Sequence, residues 1–114
     1  MTSKPKVLKG ENFWEVIDAN MDELARDFPD LGPLIGRYVN RSNKVAEKNV
    51  TIYFEAQHKI AKTKGYTAAV GGDASLIELK YELMQKEMQV LDEGEVAVAE
   101  LISSKYVIEV EEED

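Results

Sequence analysis

The sequence contains no cysteine and a single histidine, His58, in 114 residues. The absence of cysteine excludes disulfides, zinc–thiolate sites, iron–sulfur ligation and thiol nucleophiles, and one histidine excludes any multi-histidine metal site. No apolar run approaches the roughly 20 residues that a membrane span needs, and residues 1–10 lack the apolar core of a signal peptide. We therefore expect a cytoplasmic, non-enzymatic protein that enters no membrane and holds no cofactor or metal.

The net charge of −8 is concentrated at one end of the chain. Residues 92–114 carry nine acids against one base, whereas the charges of residues 1–91 cancel. A composition with 44% hydrophobic and 32% charged residues is typical of one folded domain, which we expect to span residues 1–114. We expect residues 1–10 to be flexible, and residues 109–114 to form an acidic tail that is either simply solvated or competes for a basic surface.

Two helices are predicted in the first 64 residues. Asn12 is a suitable N-cap for an amphipathic helix that begins at Phe13 and stops at Pro29. The next helix should run from Pro33 to Lys64, although Val50–Phe54 has strand propensity. Basic residues keep helical phase through that segment, which favours one long helix ended by Gly65 over a strand.

A third helix, capped by Asp73 or Ser75, has the strongest apolar pattern. Its apolar side chains cover an arc of about 200°, which is more than one partner helix can bury. The arc comprises a seam with alternating four- and three-residue spacing, Ile77, Tyr81, Met84, Met88 and Leu91, together with Leu76, Leu79, Leu83 and Val90. We expect a homo-oligomer or an obligate complex with another protein. The predicted partner interface consists of Leu76, Leu79, Leu83, Met84, Met88 and Val90.

Beyond Gly94 the apolar phase weakens, so a helix restarting after Gly94 and ending near Ser103 is the first interpretation. A β-hairpin turning at Ser103-Ser104 is the alternative, and the alternation over Tyr106–Val110 predicts a short strand. The predicted fold is mainly α. It comprises an N-terminal amphipathic helix, a long antiparallel helical hairpin, and a short C-terminal strand or hairpin.

Basic side chains repeat along one side of the second helix and form what we call the basic stripe: Arg37, Arg41, Lys44, Lys48, Lys59 and Lys62. Such a face suits a nucleic-acid backbone, and it equally suits the acidic segments of this chain. Glu55 and His58 have the Glu-x-x-His spacing of di-iron bundles, but Glu55 lies within the stripe and more simply pairs with Lys59.

Three functions remain open on these grounds. The first is a helical assembly or adaptor protein that acts by protein–protein contact through the third helix. The second is a nucleic-acid-handling oligomer, because the helical hairpin resembles in architecture the ring-forming small terminase subunits of phage DNA-packaging motors. The resemblance is one of architecture alone, without a shared sequence motif. The third is an acidic inhibitor that mimics nucleic acid, for which the tail is the only support.

Overall fold

The computed structural model describes residues 4–111 and contains four α-helices and two short strands in that range. The elements are β1 (Lys6–Gly10), α1 (Phe13–Ala19), α2 (Met21–Asp27), α3 (Leu31–Lys64), a π-helical turn (Ala68–Gly72), α4 (Ala74–Ile102) and β2 (Tyr106–Val110). The fold is mainly α, as the sequence predicts.

The chain divides into two compact units. The first unit combines the N-terminal part up to Tyr38 with the C-terminal part from Asp92, and the second unit is Val39–Leu91. Helices α3 and α4 therefore contribute to both units. The prediction of a single domain over residues 1–114 stays a prediction.

A two-stranded parallel sheet belongs to the first unit. Lys6 lies opposite Tyr106, and Gly10 lies opposite Val110. The flexible N-terminus predicted over residues 1–10 is therefore wrong for residues 6–10. The strand predicted at Tyr106–Val110 is confirmed, but it pairs with β1, so the alternative hairpin is wrong.

The acidic tail predicted over residues 109–114 begins inside this sheet. Glu109 and Val110 are the last two residues of β2, and Glu109 lies opposite Lys9. The Glu111 amide donates to the Gly10 carbonyl at 2.8 Å, and residues 112–114 of that prediction lie outside the described residues.

The amphipathic helix predicted from Phe13 is two helices, not one. Asn20 has a non-helical backbone, with φ of −112° and ψ of 16°, and its side-chain amide donates to the Val16 carbonyl at 2.8 Å. An asparagine side chain that competes for helical hydrogen bonds in this way favours a break. The predicted cap is confirmed, since Asn12 Oδ1 accepts from the Trp14 amide at 2.9 Å.

The first unit has a closed apolar core. Strands and helices all contribute to it, and most members are at least 94% buried: Leu8, Val16, Ile17, Leu24, Leu31, Val98, Ile102 and Tyr106. Burial of this kind is the main favourable contribution to folding, at roughly 1.5–3 kcal/mol for each large side chain.

Helix α4 continues through Gly94, so the predicted interruption there is wrong. A Cβ atom at Gly94 would lie 3.2 Å from Trp14 and 3.3 Å from Tyr38. Gly94 is therefore a position of close approach within the first unit and not a helix stop.

Tyr106 joins β2 to α2 inside the first unit. Its hydroxyl lies 3.1 Å from Glu23 Oε1 and within hydrogen-bond distance of Asp27 Oδ2. The bond to Asp27, followed by burial, raises the pKa of Tyr106. Hydrogen bonds from Lys6 and then Tyr106 lower the pKa of Glu23, and the bond from Tyr106 lowers the pKa of Asp27.

The second unit is an antiparallel helical hairpin. The 34-residue helix α3 passes unbroken through Val50–Phe54, which confirms the long helix and excludes a strand there. Gly65 follows with a positive φ of 93°, a conformation that a helix end commonly assigns to glycine. Asp73 caps α4, because its carboxylate accepts from the Ser75 amide at 2.9 Å.

Candidate functional site

Two side-chain amides hold the hairpin of the second unit in register. The Asn49 amide donates to the Leu83 carbonyl at 2.9 Å, and the Gln57 amide donates to the Ala69 carbonyl at 3.0 Å. Asn49 is buried, with 7% of its surface exposed. A buried amide is costly without a partner, so this hydrogen bond selects one alignment of α3 against α4.

An ion pair closes the hairpin near its turn. Lys64 Nζ lies 2.8 Å from Asp73 Oδ2. Hydrogen bonds from Lys64 and then Ser75 lower the pKa of Asp73 to about 2. Together with the hydrogen bonds from the side-chain amides of Asn49 and Gln57, this ion pair determines which residues of α3 and α4 lie at the same height along the hairpin.

An open groove of about 290 Å³ lies between α3 and α4 in the second unit. Its lining is contributed by both helices: Ala46, Asn49, Val50, Tyr53, Phe54, Lys80, Leu83, Met84 and Glu87. Three large apolar side chains of the lining remain in water, with exposed fractions of 53% for Val50, 63% for Phe54 and 46% for Met84. The groove is therefore apolar and accessible.

The exposed apolar surface continues along α4 beyond the groove. Ile77, Tyr81, Met88 and Leu91 are all exposed and follow the same four- and three-residue spacing as Met84. That spacing places them along one side of a helix. We refer to the seven exposed side chains of this surface as the apolar face: Val50, Phe54, Ile77, Tyr81, Met84, Met88 and Leu91.

The predicted partner interface falls into two groups. Leu76, Leu83 and Val90 are buried within this chain, while Leu79 is half-buried. Of the six predicted residues, Met84 and Met88 are the two that remain exposed. The sequence thus predicts an apolar arc too wide for one partner, but the hairpin covers the Leu76, Leu83 and Val90 side of it and leaves the methionine side open.

Sequence reasoning missed the contribution of α3 to the apolar face. The strand propensity of Val50–Phe54 carries no information on the exposure of Val50 and Phe54. At about 100° per residue they lie some 60–140° away from Asn49 and Tyr53, so a helical wheel centred on Asn49 and Tyr53 places both of them to one side of that centre.

The basic stripe is fully exposed. Arg37 belongs to the first unit, and the other five residues, Arg41, Lys44, Lys48, Lys59 and Lys62, belong to the second. On α3 the six bases occupy an arc of about 60°, centred about 130° away from Val50 and Phe54. The basic stripe and the α3 residues of the apolar face therefore lie on different sides of α3.

Glu55 and His58 are both exposed on α3. Among residues 4–111 no three histidine or carboxylate side chains lie close enough to hold a metal ion. Within the same range, no helix has the length and apolar character needed to cross a bilayer.

A second cavity, of about 440 Å³, lies in the first unit. Its walls are largely apolar, with Phe13, Val96, Ile102 and Ile108 among them, and Glu95 is its one carboxylate. Burial, with a smaller contribution from Asp92, raises the pKa of Glu95. The two hydroxyls of the lining are engaged elsewhere, since Ser103 donates to the Glu100 carbonyl and Tyr106 bonds to Glu23 and Asp27, so none of these hydrogen bonds joins Glu95 to a nucleophile.

The chain has no match among protein-family models, characterised proteins or solved structures.

Proposed function

We propose that this chain is a non-enzymatic helical assembly or adaptor protein that acts by protein–protein contact through the apolar face. The observation that carries the proposal is the exposure of the seven large apolar side chains that form this face. Contiguous exposed apolar patches of several hundred Å² commonly mark interaction sites.

The polar chemistry of the groove supports a role in contact over one in catalysis. Asn49 is engaged with the Leu83 carbonyl and holds the two helices in register. Lys80 and Glu87 sit beside apolar side chains, where charged groups serve to orient a partner. This arrangement has the apolar centre and sparse charges expected of an interface core.

Substitution of the apolar face tests this function. Immobilised wild-type protein should retain specific proteins from a lysate of its own source, and Phe54→Glu should lose them because a charge would be buried at the contact. Ile52→Glu is the matched control, since Ile52 is an exposed apolar residue of α3 on the side facing away from Phe54. Identical retention by wild type and Phe54→Glu would contradict the proposal.

A second candidate function is a nucleic-acid-handling oligomer, similar in architecture to the phage small terminase subunits. The observation favouring it is the exposure of all six bases of the stripe along one side of α3. Lys44→Glu with Lys48→Glu should then weaken binding to duplex DNA, and wild-type binding should fall steeply with salt. Lys86→Glu on α4 is the control, and salt-independent or absent binding would remove this candidate.

The third hypothesis, an acidic mimic of nucleic acid, rests on a tail of which only residues 109–111 are described. Two of those residues belong to β2. We therefore do not extend it.

A further inference from the structure

The apolar face is complementary to itself in both charge and size, and we infer that its occupant is a second copy of this chain, related by a two-fold axis that crosses α4 at Met84. This inference rests on the proposed function and specifies its partner.

The register of the hairpin places the groove-lining residues at three levels. Asn49 is hydrogen-bonded to Leu83, and the helices are antiparallel. Ala46 therefore lies near the level of Glu87, and Phe54 lies near the level of Lys80, with Val50 and Met84 between them. All of these residues line the same groove.

A two-fold axis perpendicular to the helices at the central level exchanges the outer two levels. Lys80 and Glu87 lie on opposite sides of Met84, about 6 Å and about 4.5 Å along the helix, so the rotation leaves Lys80 of one copy within about 1.5 Å of the level of Glu87 of the other. The axis therefore brings Lys80 of each copy to Glu87 of the other. Two opposite-charge contacts result, and both have the same geometry, as an isologous interface requires.

The same axis matches large side chains with small ones on α3. Ala46 and Phe54 are each four residues from Val50. The exposed ring of Phe54 is thus brought to the space beside Ala46 of the other copy. Packing of a large side chain opposite a small one is how helices interdigitate.

The apolar seam of α4 has the same symmetry. Ile77 and Leu91 are each seven residues from Met84, and Tyr81 and Met88 are three and four residues from it. The axis pairs Ile77 with Leu91 and Tyr81 with Met88, so every member of the seam contacts another apolar side chain. An axis parallel to the helices would instead place Phe54 against Lys80 and leave the charges without opposite partners.

The size of the face is sufficient for a stable dimer. Its seven side chains each keep between 44% and 65% of their surface in water. They offer on the order of 600 Å² per copy, so two copies reach the lower end of the roughly 1,200–2,000 Å² that stable interfaces bury.

Charge reversal tests the pairing directly. Sedimentation equilibrium of the full chain should show a dimer, and Lys80→Glu or Glu87→Lys alone should raise its dissociation constant by about tenfold or more, because each creates two like-charge contacts. The double variant Lys80→Glu with Glu87→Lys should restore wild-type association. An equimolar mixture of the two single variants should form a heterodimer in preference to either homodimer. A double variant no better than the single variants overturns the inference.

Cross-linking through introduced cysteines tests the position of the axis. The sequence contains no cysteine of its own, so no other thiol competes. With oxidised glutathione added as the two-electron oxidant, the thiols of Met84→Cys should form a disulfide between copies, since residue 84 faces its own counterpart at the axis. Gln85→Cys, exposed on another side of α4, is the matched control and should cross-link far more slowly. Equal rates for the two variants overturn the inference, and circular dichroism verifies that each variant is folded.

Failure of the dimer and failure of the proposed function give different results. A chain that is still monomeric at about 100 μM overturns the second copy as occupant. If Phe54→Glu still abolishes retention of another protein in that case, the proposed function stands. If neither association nor retention is found, both proposals are wrong.

Discussion

The two units of this chain use apolar side chains in opposite ways. In the first unit, strands and helices surround a common core, and residues such as Leu24 and Leu31 have no exposed surface. In the second unit, two helices bury one line of side chains, Leu76, Leu83 and Val90, and leave the seven side chains of the apolar face, among others, in water. A pair of helices has only one mutual contact surface, so an apolar arc wider than that surface must stay exposed or be covered by another molecule.

The contrast between the units suggests different roles for their apolar side chains, in folding for the first unit and in association for the second. The first unit has most of its large apolar groups out of water, and its polar link through Tyr106 is internal. The second unit has a register set by Asn49 and a face available for contact. We therefore expect substitutions in the first unit to act on folding and substitutions on the apolar face to act on association.

The largest effect should come from Leu24→Ala. Leu24 is fully buried in the first unit, and removing a buried leucine side chain costs about 2–5 kcal/mol of unfolding free energy. Phe54→Ala is the matched truncation in the second unit and should cost less than about 1 kcal/mol at a concentration where the chain is monomeric. Urea denaturation followed by circular dichroism measures both. Equal losses would break the contrast between the units.

A smaller effect should come from Tyr106→Phe, seen chiefly as a changed dependence of stability on pH. Because the folded-state pKa values of Glu23 and Asp27 are lowered, their stabilisation is present above their ordinary pKa values and is lost as the pH falls through the lowered ones. The raised pKa of Tyr106 acts in the opposite direction, so its contribution is lost as the pH rises above 10.

Removing the Tyr106 hydroxyl should make the stability depend less on pH, both in the acid range and above pH 10. Thermal unfolding of wild type and Tyr106→Phe across acid and alkaline pH makes the comparison. Parallel curves at all pH values would mean that the hydroxyl is not linked to the two carboxylates. Tyr66→Phe, at a tyrosine that is 79% exposed, controls for the loss of a phenol elsewhere in the chain.

The smallest effect should come from Asp73→Asn in the second unit. Asparagine can still cap α4 by accepting from the Ser75 amide, but it cannot form the ion pair with Lys64. Exposed ion pairs contribute little to stability, and 58% of the Lys64 side chain is exposed. Since the folded pKa of Asp73 is about 2, the difference from wild type should be present above pH 3.8 and vanish as the pH falls towards 2.

Asp73→Ala removes the cap as well and provides the comparison. It should be less stable than Asp73→Asn at every pH, because the α4 amide loses its acceptor. If the two variants behave alike, capping contributes nothing and the ion pair accounts for the whole effect.

The sequence by itself determined most of the helical architecture. The phase of six basic residues predicts α3 as one helix through Val50–Phe54, and the apolar spacing predicts α4 with its excess of apolar surface. The alternation over Tyr106–Val110 predicts β2. These features were predictable because each depends on side chains within a few turns of one another, where periodicity carries the information.

Only the tertiary structure decided the rest. The pairing of β1 with β2 joins residues about 100 positions apart, and the close approach of Trp14 and Tyr38 to Gly94 joins three segments of the first unit. Which side of the wide apolar arc of α4 is buried was likewise undetermined by periodicity, since Leu83 and Met84 are both apolar and adjacent. The hydrogen bond of Asn49 to the Leu83 carbonyl aligns the two helices so that Leu76, Leu83 and Val90 are covered. Few other alignments of α3 and α4 would give the buried Asn49 amide a hydrogen-bond acceptor. The alignment that does so leaves Met84 and Phe54 on the open face.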